Sequence, residues 1–488
     1  MPAYLLLLPI LLPLVSGALL YFLGRRFYGR RRVLVAVTVC LNTLLTWALI
    51  LFCGEESFRI LNLVWDLEIT LRFDGFGRFF AGLVATLWPL TTFYGFGYMD
   101  REHHKNLYYA FFTMSFGVTL GVAMSGNLLT LYVFYELLTL VTVPLVMHKM
   151  TRKAVRAARI YLAFSIGGAA FAFIGILYLA ANGVDLAFLP GGSVRPGGSD
   201  GMFRLIYLIA FLGFGVKAAI FPMHRWLPEA AVAPTPVTAL LHAVAVVKSG
   251  AFAIIRLTYY CYGTDLLAGS WAQTAALCFA MVTILYGSYM SLRQAHWKRR
   301  LAYSTVSNLS YVVFGALLMT PVGLTGSLLH MLFHAVIKIL GFFCVGAVLC
   351  NTGREYVTQL EGMGRRMPVT FVCFTVSALA LTGIPPLPGF FSKWALLTAA
   401  PDAQSAAAPF GTAVLLVSAF LTAMYMIPTA VRAFFPSRDA DLAGLDGVRE
   451  VSPVMWVPMA ILAAMTVALG LAAGPLSDFV SGLAASAF

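Results

Sequence analysis

Charge is scarce in this sequence. Asp, Glu, Lys and Arg make up 11% of its 488 residues, against roughly a quarter in ordinary soluble domains. The Lys- and Glu-rich loops of a soluble multidomain enzyme are missing, and so is the polar composition of a disordered binder. The seven cysteines (Cys40, Cys53, Cys261, Cys278, Cys344, Cys350 and Cys373) contain no CxxC pair and lie mostly inside apolar runs. They read as small hydrophobic residues, which excludes a secreted disulfide scaffold. There is no HExxH sequence and no pair of intramembrane aspartates, which argues against an intramembrane protease. No flavin, nucleotide or iron–sulfur motif is present either, so no cofactor is expected in this chain.

What the sequence has in excess is hydrophobicity. Sixty per cent of its residues (60%) are apolar and its mean hydropathy is +0.86, the signature of an all-α polytopic membrane protein. Apolar runs long enough to cross a bilayer occur at about 3–23, 33–53, 76–97, 107–124, 127–148, 157–180, 204–222, 236–257, 269–291, 301–319, 323–350, 368–398, 408–434 and 453–473, which predicts about fourteen spans. The first run has no basic segment before it and no small-residue cleavage site after it, so it reads as a retained span.

Lys and Arg in short loops orient the spans. Six of them (Arg59, Arg72, Arg78, Arg195, Arg204 and Arg256) fall in one set of alternate loops or at the span ends beside them, and four (Lys217, Lys248, Lys338 and Lys393) fall deeper inside spans. The remaining 23 of the 33 belong to the other set, most densely at Arg25 to Arg32, Lys149 to Arg159 and Arg293 to Arg300. The net charge of +13 is therefore a topology signal, with both termini outward. A nucleic-acid partner is not expected, because no clustered basic face with stacking aromatics is present. In one outer loop, Leu63, Trp65, Leu67, Ile69, Leu71 and Phe73 alternate with Val64, Asp66, Glu68, Thr70, Arg72 and Asp74. Period two predicts a short strand or hairpin on the outer surface.

Each charge at membrane depth costs about 2.5–3.5 kcal/mol on insertion scales, so the ionisable residues kept inside spans need a reason. Glu136 lies mid-span in Phe134-Tyr135-Glu136-Leu137. It is either a packing carboxylate or a protonatable partner of a buried lysine. Lys217 and Lys248 are either its structural counter-ions or relay groups themselves; the two roles are compatible. His330, His334 and Lys338 are spaced i, i+4, i+8 and share one helix stripe. An HxxxH pair can hold zinc, but a catalytic site needs a third ligand and usually a base, and a hydrated proton-passing stripe is preferred. His242 stands alone and reads equally as a packing residue.

Two lysine-bearing spans carry backbone breakers close to the lysine. Lys217 is followed by Phe221-Pro222-Met223, and Gly383-Ile384-Pro385-Pro386-Leu387-Pro388-Gly389 precedes Lys393. Proline breaks a helix, and broken backbone at membrane depth survives only inside protein or beside water. Spans 4–8 and 9–13 each place the broken, lysine-bearing helix fourth. That order is the layout of two inverted five-helix repeats, with helices 7 and 12 discontinuous. The expected organisation is residues 1–106 (helices 1–3), 107–257 (first repeat), 258–435 (second repeat) and 436–488 (inner loop and last helix).

The runs Tyr135-Glu136-Leu137-Leu138, Gly215-Val216-Lys217-Ala218-Ala219, Pro222-Met223-His224-Arg225-Trp226-Leu227-Pro228-Glu229-Ala230, Ala233-Pro234-Thr235-Pro236, Ala302-Tyr303-Ser304-Thr305 and Gly383-Ile384-Pro385-Pro386 resemble the antiporter-like membrane subunits shared by respiratory complex I, Mrp-type cation/proton antiporters and energy-converting membrane-bound hydrogenases. The resemblance covers roughly spans 4 to 13. It implies that Glu136 and Lys217 gate one half-channel and that Lys248 passes protons towards the centre. His330, His334 and Lys338 would then carry them along the midplane, with Lys393 as the terminal group of the second half-channel. It further implies a prokaryotic inner membrane, other membrane subunits as partners, peripheral redox subunits in the redox-driven relatives, and H⁺ with or without Na⁺ as the ion. Lysine at position 393 separates this chain from relatives with glutamate there. The long lateral helix of the largest complex I subunit of this kind is not expected. The resemblance leaves open a redox-driven subunit and a D-type subunit of an Mrp antiporter. A free-standing transporter of an organic solute is the third class, and would need a substrate-shaped polar site at the broken helices.

Overall fold

The computed structural model describes residues 2–24, 29–55, 57–63, 67–198, 200–438, 442 and 445–488. Arg25 and Arg26 of the first basic cluster, and Val64, Trp65 and Asp66 of the alternating loop, lie outside the described residues. The chain opens with α1 (Leu8–Leu23) and α2 (Arg31–Phe52), followed by a hairpin of β1 (Ser57–Asn62) and β2 (Glu68–Arg72). Next come α3 (Gly75–Tyr98), α4 (Lys105–Ala123), α5 (Leu128–Val146), α6 (Arg152–Ala181) and α7 (Asp200–Gly215). The middle holds α8 (Trp226–Ala230), α9 (Thr235–Ala243), α10 (Val246–Arg256), α11 (Thr264–Leu267), α12 (Trp271–Arg293) and α13 (Trp297–Leu317). The last third is α14 (Pro321–Thr352), α15 (Pro368–Thr382), α16 (Pro388–Ala399), α17 (Phe410–Phe434), α18 (Pro453–Leu471) and α19 (Ala473–Ala485).

This is an integral membrane protein. Among the described residues, 10 helical stretches are long and apolar enough to cross a bilayer. The other four expected spans are the more polar α4 and α13, the short α7, and the α15–α16 pair interrupted between Thr382 and Pro388. The hairpin pairs antiparallel from Ser57 opposite Arg72 to Asn62 opposite Glu68, with a register shift between Arg59 and Leu61. Helix starts follow capping chemistry: Asn127 accepts from the Thr130 N–H at 2.7 Å, and Thr320 accepts from Gly323 at 3.1 Å ahead of Pro321, each satisfying an orphan donor.

Burial sorts the helices by role. The most apolar parts of the α9–α10 stretch and of α14 are 100% and 89% buried inside the protein, against 33% for α2 and α18. The two innermost elements are the ones that carry His242, Lys248, His330, His334 and Lys338, so the charges face protein and not lipid.

The structure corrects the reading of Arg256 as a loop residue. Its side chain is fully buried at the end of α10, donating to both Asp74 carboxylate oxygens at 2.6 and 2.5 Å. Asp74 in turn caps α3 by accepting from Gly77 at 2.8 Å. The rings of Tyr260, Phe188 and Phe252 surround the guanidinium at 4.6, 4.8 and 5.0 Å. Breaking one partner of such a pair leaves a buried charge uncompensated, at a cost of about 3–5 kcal/mol. Asp74→Ala and Arg256→Ala should each lower the thermal unfolding temperature of the detergent-solubilised protein sharply. The apolar double replacement Asp74→Leu/Arg256→Met should recover most of that loss.

Candidate functional site

The first half of the site is built at a broken helix. α7 stops at Gly215, and Lys217 stands in a non-helical turn just beyond it; the sequence placed this lysine inside the helix. The carbonyls freed by the break are claimed by ring donors: the Tyr135 hydroxyl donates to Phe214 O at 3.0 Å, and the Trp226 indole N–H donates to Val216 O at 2.7 Å. Ala219 closes the turn with φ 56°, a left-handed conformation that is strained for a residue with a Cβ. The turn presents the fully buried Lys217 ammonium to α5. Its Nζ lies 3.5 Å from Glu136 Oε1 and 3.4 Å from the Tyr135 ring centroid, and donates to the Tyr135 carbonyl. The Glu136 side chain is 24% exposed, so this carboxylate reaches the protein surface while its lysine does not.

The centre of the site is a run of direct contacts. The stretch expected as one continuous eighth span breaks at Val244-Ala245, which puts Lys248 in the first turn of α10. Nothing in Ala243-Val244-Ala245-Val246 marks that break. Lys248 Nζ meets His334 Nδ1 at 2.6 Å. The contact needs one hydrogen between the two nitrogens, given either by the lysine to an unprotonated Nδ1 or by a protonated Nδ1 to a neutral amine. The His334 and His330 rings stack at 5.9 Å and 17°. His330 Nδ1 then reaches the Ser392 hydroxyl at 3.0 Å, and the Tyr311 ring stacks with His330 at 5.2 Å.

Ser392 adjoins Lys393, at the second break. α15 ends at Gly383, whose φ of 94° is left-handed, as C-terminal caps commonly are. Lys393 Nζ donates to the freed carbonyls of Leu381 and Thr382 at 2.7 and 3.0 Å, a cation on a helix C-terminus. α16 approaches so closely that a Cβ at Gly389 would lie 1.9 Å from Ala380 O.

Of the eight residues singled out from sequence, the structure therefore joins Glu136 with Lys217, and Lys248 with His334, His330 and, through Ser392, the neighbourhood of Lys393. Lys338 shares the helix stripe but donates to Leu301 O at 3.1 Å. Both ring nitrogens of the buried His242 have no hydrogen-bond partner, and neither do His330 Nε2, His334 Nε2 and Glu136 Oε1. Among the described residues, no three His, Cys, Asp or Glu side chains gather in metal-binding geometry. Sequence reasoning missed Ser392, Tyr135 and Tyr311, whose only signal was proximity to a charged residue or to none. It also missed Lys298, which was counted as a loop cation but is buried with its Nζ on Ala233 O at 2.7 Å.

A family described as "NADH:quinone oxidoreductase/Mrp antiporter, TM" matches residues 125–422. The chain belongs to this family. All eight candidate residues fall inside the matched segment. NADH-quinone oxidoreductase subunit N of Desulforudis audaxviator (strain MP104C) is 35% identical over 395 residues, covering 77% of this chain and 75% of that protein. Na(+)/H(+) antiporter subunit A1 of Staphylococcus aureus (strain JH9) is 28% identical over 502 residues, covering 97% of this chain and 61% of its own length; the chain thus spans less than two thirds of that antiporter subunit. Among solved structures, a chain of the membrane-bound sulfane sulfur reductase, an archaeal respiratory membrane complex, superposes with a TM-score of 0.86 at 23% identity, over 99% of this chain and 97% of that one. This likeness concerns the fold.

In this antiporter-like family member the helix breaks rest on glycine contacts that can be tested. Gly389→Ala forces a methyl group into a main-chain carbonyl and should cost at least about 1–3 kcal/mol. Gly474→Ala, whose added Cβ meets nothing within 4 Å, should be neutral or slightly stabilising. Thermal unfolding of the two variants in detergent measures the contrast.

Proposed function

We propose that this chain is a proton-translocating subunit of a multi-subunit membrane complex, moving protons through two half-channels joined across the membrane centre. The observation that carries the reading is the buried contact sequence Lys248–His334–His330–Ser392, flanked in the chain by Glu136–Lys217 at one helix break and Lys393 at the other. Each link is a group that can take up and pass on a proton. The orphan nitrogens of His330, His334 and His242 leave room for further hydrogen bonds along the same line. Lys338 serves as a charged neighbour on the same stripe, and His242 as a side branch of the line. Charges spread over this many helices fit a proton line better than a pocket for an organic solute.

Fourteen crossings and two inverted repeats, residues 107–257 and 258–435, fit this function. Support comes from the matched placement of Lys217 and Lys393 at the broken fourth helix of each set. The loop charges favour an orientation with the hairpin and both termini outside, in a prokaryotic inner membrane. The drive is redox chemistry in partner chains, with no redox group in this one; the identity to a subunit N over most of both chains supports that choice. The alternative, a D-type subunit of a Na⁺/H⁺ antiporter of the Mrp kind, draws its support from the alignment to subunit A1 along nearly the whole chain.

Lys217→Ala should lower the proton pumping attributable to this chain by about a hundredfold or more, the scale for losing a proton-transfer group, while the complex still assembles. Proton uptake into vesicles containing the purified complex reads this out, and full pumping by an assembled mutant complex would refute the role. Purification from the native membrane separates the two drives. Flavin, iron–sulfur or nickel signals in the assembly mean the redox-driven complex; a cofactor-free set of small hydrophobic subunits means the antiporter.

A further inference from the structure

An apolar groove of about 760 Å³ runs between α2, α3, α14, α18 and α19, away from the proton line. Trp47, Gly82, Val336, Leu469, Phe479 and Leu483 line it, one or two from each helix. Along α3 it extends from Gly75 to Leu87, which at 1.5 Å per residue is about 18 Å. One leaflet of hydrocarbon is about 15 Å thick. The groove lies open on the outer flank of the bundle, where Leu51 and Phe479 are 68% and 67% exposed.

The end near the hairpin carries the chemical discriminator. Arg78, one turn into α3, lines the groove and holds its place by donating to Phe73 O at 3.1 Å and Cys53 O at 2.7 Å. Both acceptors are neutral carbonyls, and among the described residues Arg78 has no carboxylate partner. A guanidinium with five donors keeps its positive charge and spare N–H groups at headgroup depth, above an acyl-sized apolar cleft. We propose that the groove binds an anionic diacyl phospholipid of the hairpin-side leaflet, with its phosphate at Arg78 and one acyl chain along α3. The chain rests on Leu332 and Val336, about 200° around α14 from the His330–His334–Lys338 stripe. The lipid thus braces the back of the helix that carries that stripe.

The test uses the intact complex in phosphatidylcholine vesicles doped with brominated phosphatidylglycerol or brominated phosphatidylcholine. Quenching of the Trp47 signal is taken as the difference between the wild type and Trp47→Phe. The charged lipid should quench more effectively by about fivefold, the worth of one interfacial basic side chain towards an anionic headgroup. Arg78→Gln should make the two lipids equal, and Gly82→Leu, which fills the groove beside Trp47, should abolish quenching by both. Equal quenching in the wild type overturns the proposal. So does quenching by neither lipid, which would assign the groove to a helix of a partner subunit. If Gly82→Leu fails to assemble, the Arg78→Gln comparison decides alone.

Discussion

Polar groups at membrane depth must find their partners inside the protein, and in this chain four buried lysines are held by main-chain carbonyls. Lys393 sits on the carbonyls that α15 leaves free. Lys338 donates to Leu301 O and Lys298 to Ala233 O. Lys217 donates to Tyr135 O and pairs with the Glu136 carboxylate. Main-chain carbonyls hold an ammonium by dipole and hydrogen bond without cancelling its charge. Several like charges in one low-dielectric core therefore raise each other's cost. A proton added at one lysine therefore changes the proton affinity of its neighbours.

The breaks also set the geometry. An unbroken seventh helix would carry Lys217 around its axis with its neighbours, whereas the turn stopped at Gly215 and strained at Ala219 aims it at α5. At the second break, Gly383 and the close approach of Gly389 to Ala380 O bring Ser392 under His330. α14 does the opposite job, running unbroken from Pro321 to Thr352, and so keeps His330 and His334 in stacking register. Unbroken stripe and broken flanks together fix the geometry of the line.

Much of this was legible in the chain. Apolar runs set the membrane class, and charges out of place inside those runs named the eight candidate residues. Three prolines between two glycines marked the break before Lys393. The break at Val244-Ala245 was not legible, because four small apolar residues give no local signal and tertiary packing alone imposes it. Ser392 was hidden for a similar reason: a serine inside a helix is common, and only the fold reveals that it faces His330. Arg256 and Asp74 looked like loop charges because each lies at the edge of an apolar run, yet α3 and α10 bring them into one buried pair.

In the proposed line, protons pass through the Lys248–His334 contact and the stacked His330. The most direct measurement is the number of protons moved per driving turnover in vesicles containing the complex with His334→Phe, a replacement that keeps an aromatic ring and removes both nitrogens. The driving reaction should continue while this chain's share of the protons is lost. An unchanged stoichiometry in a fully assembled complex would contradict it.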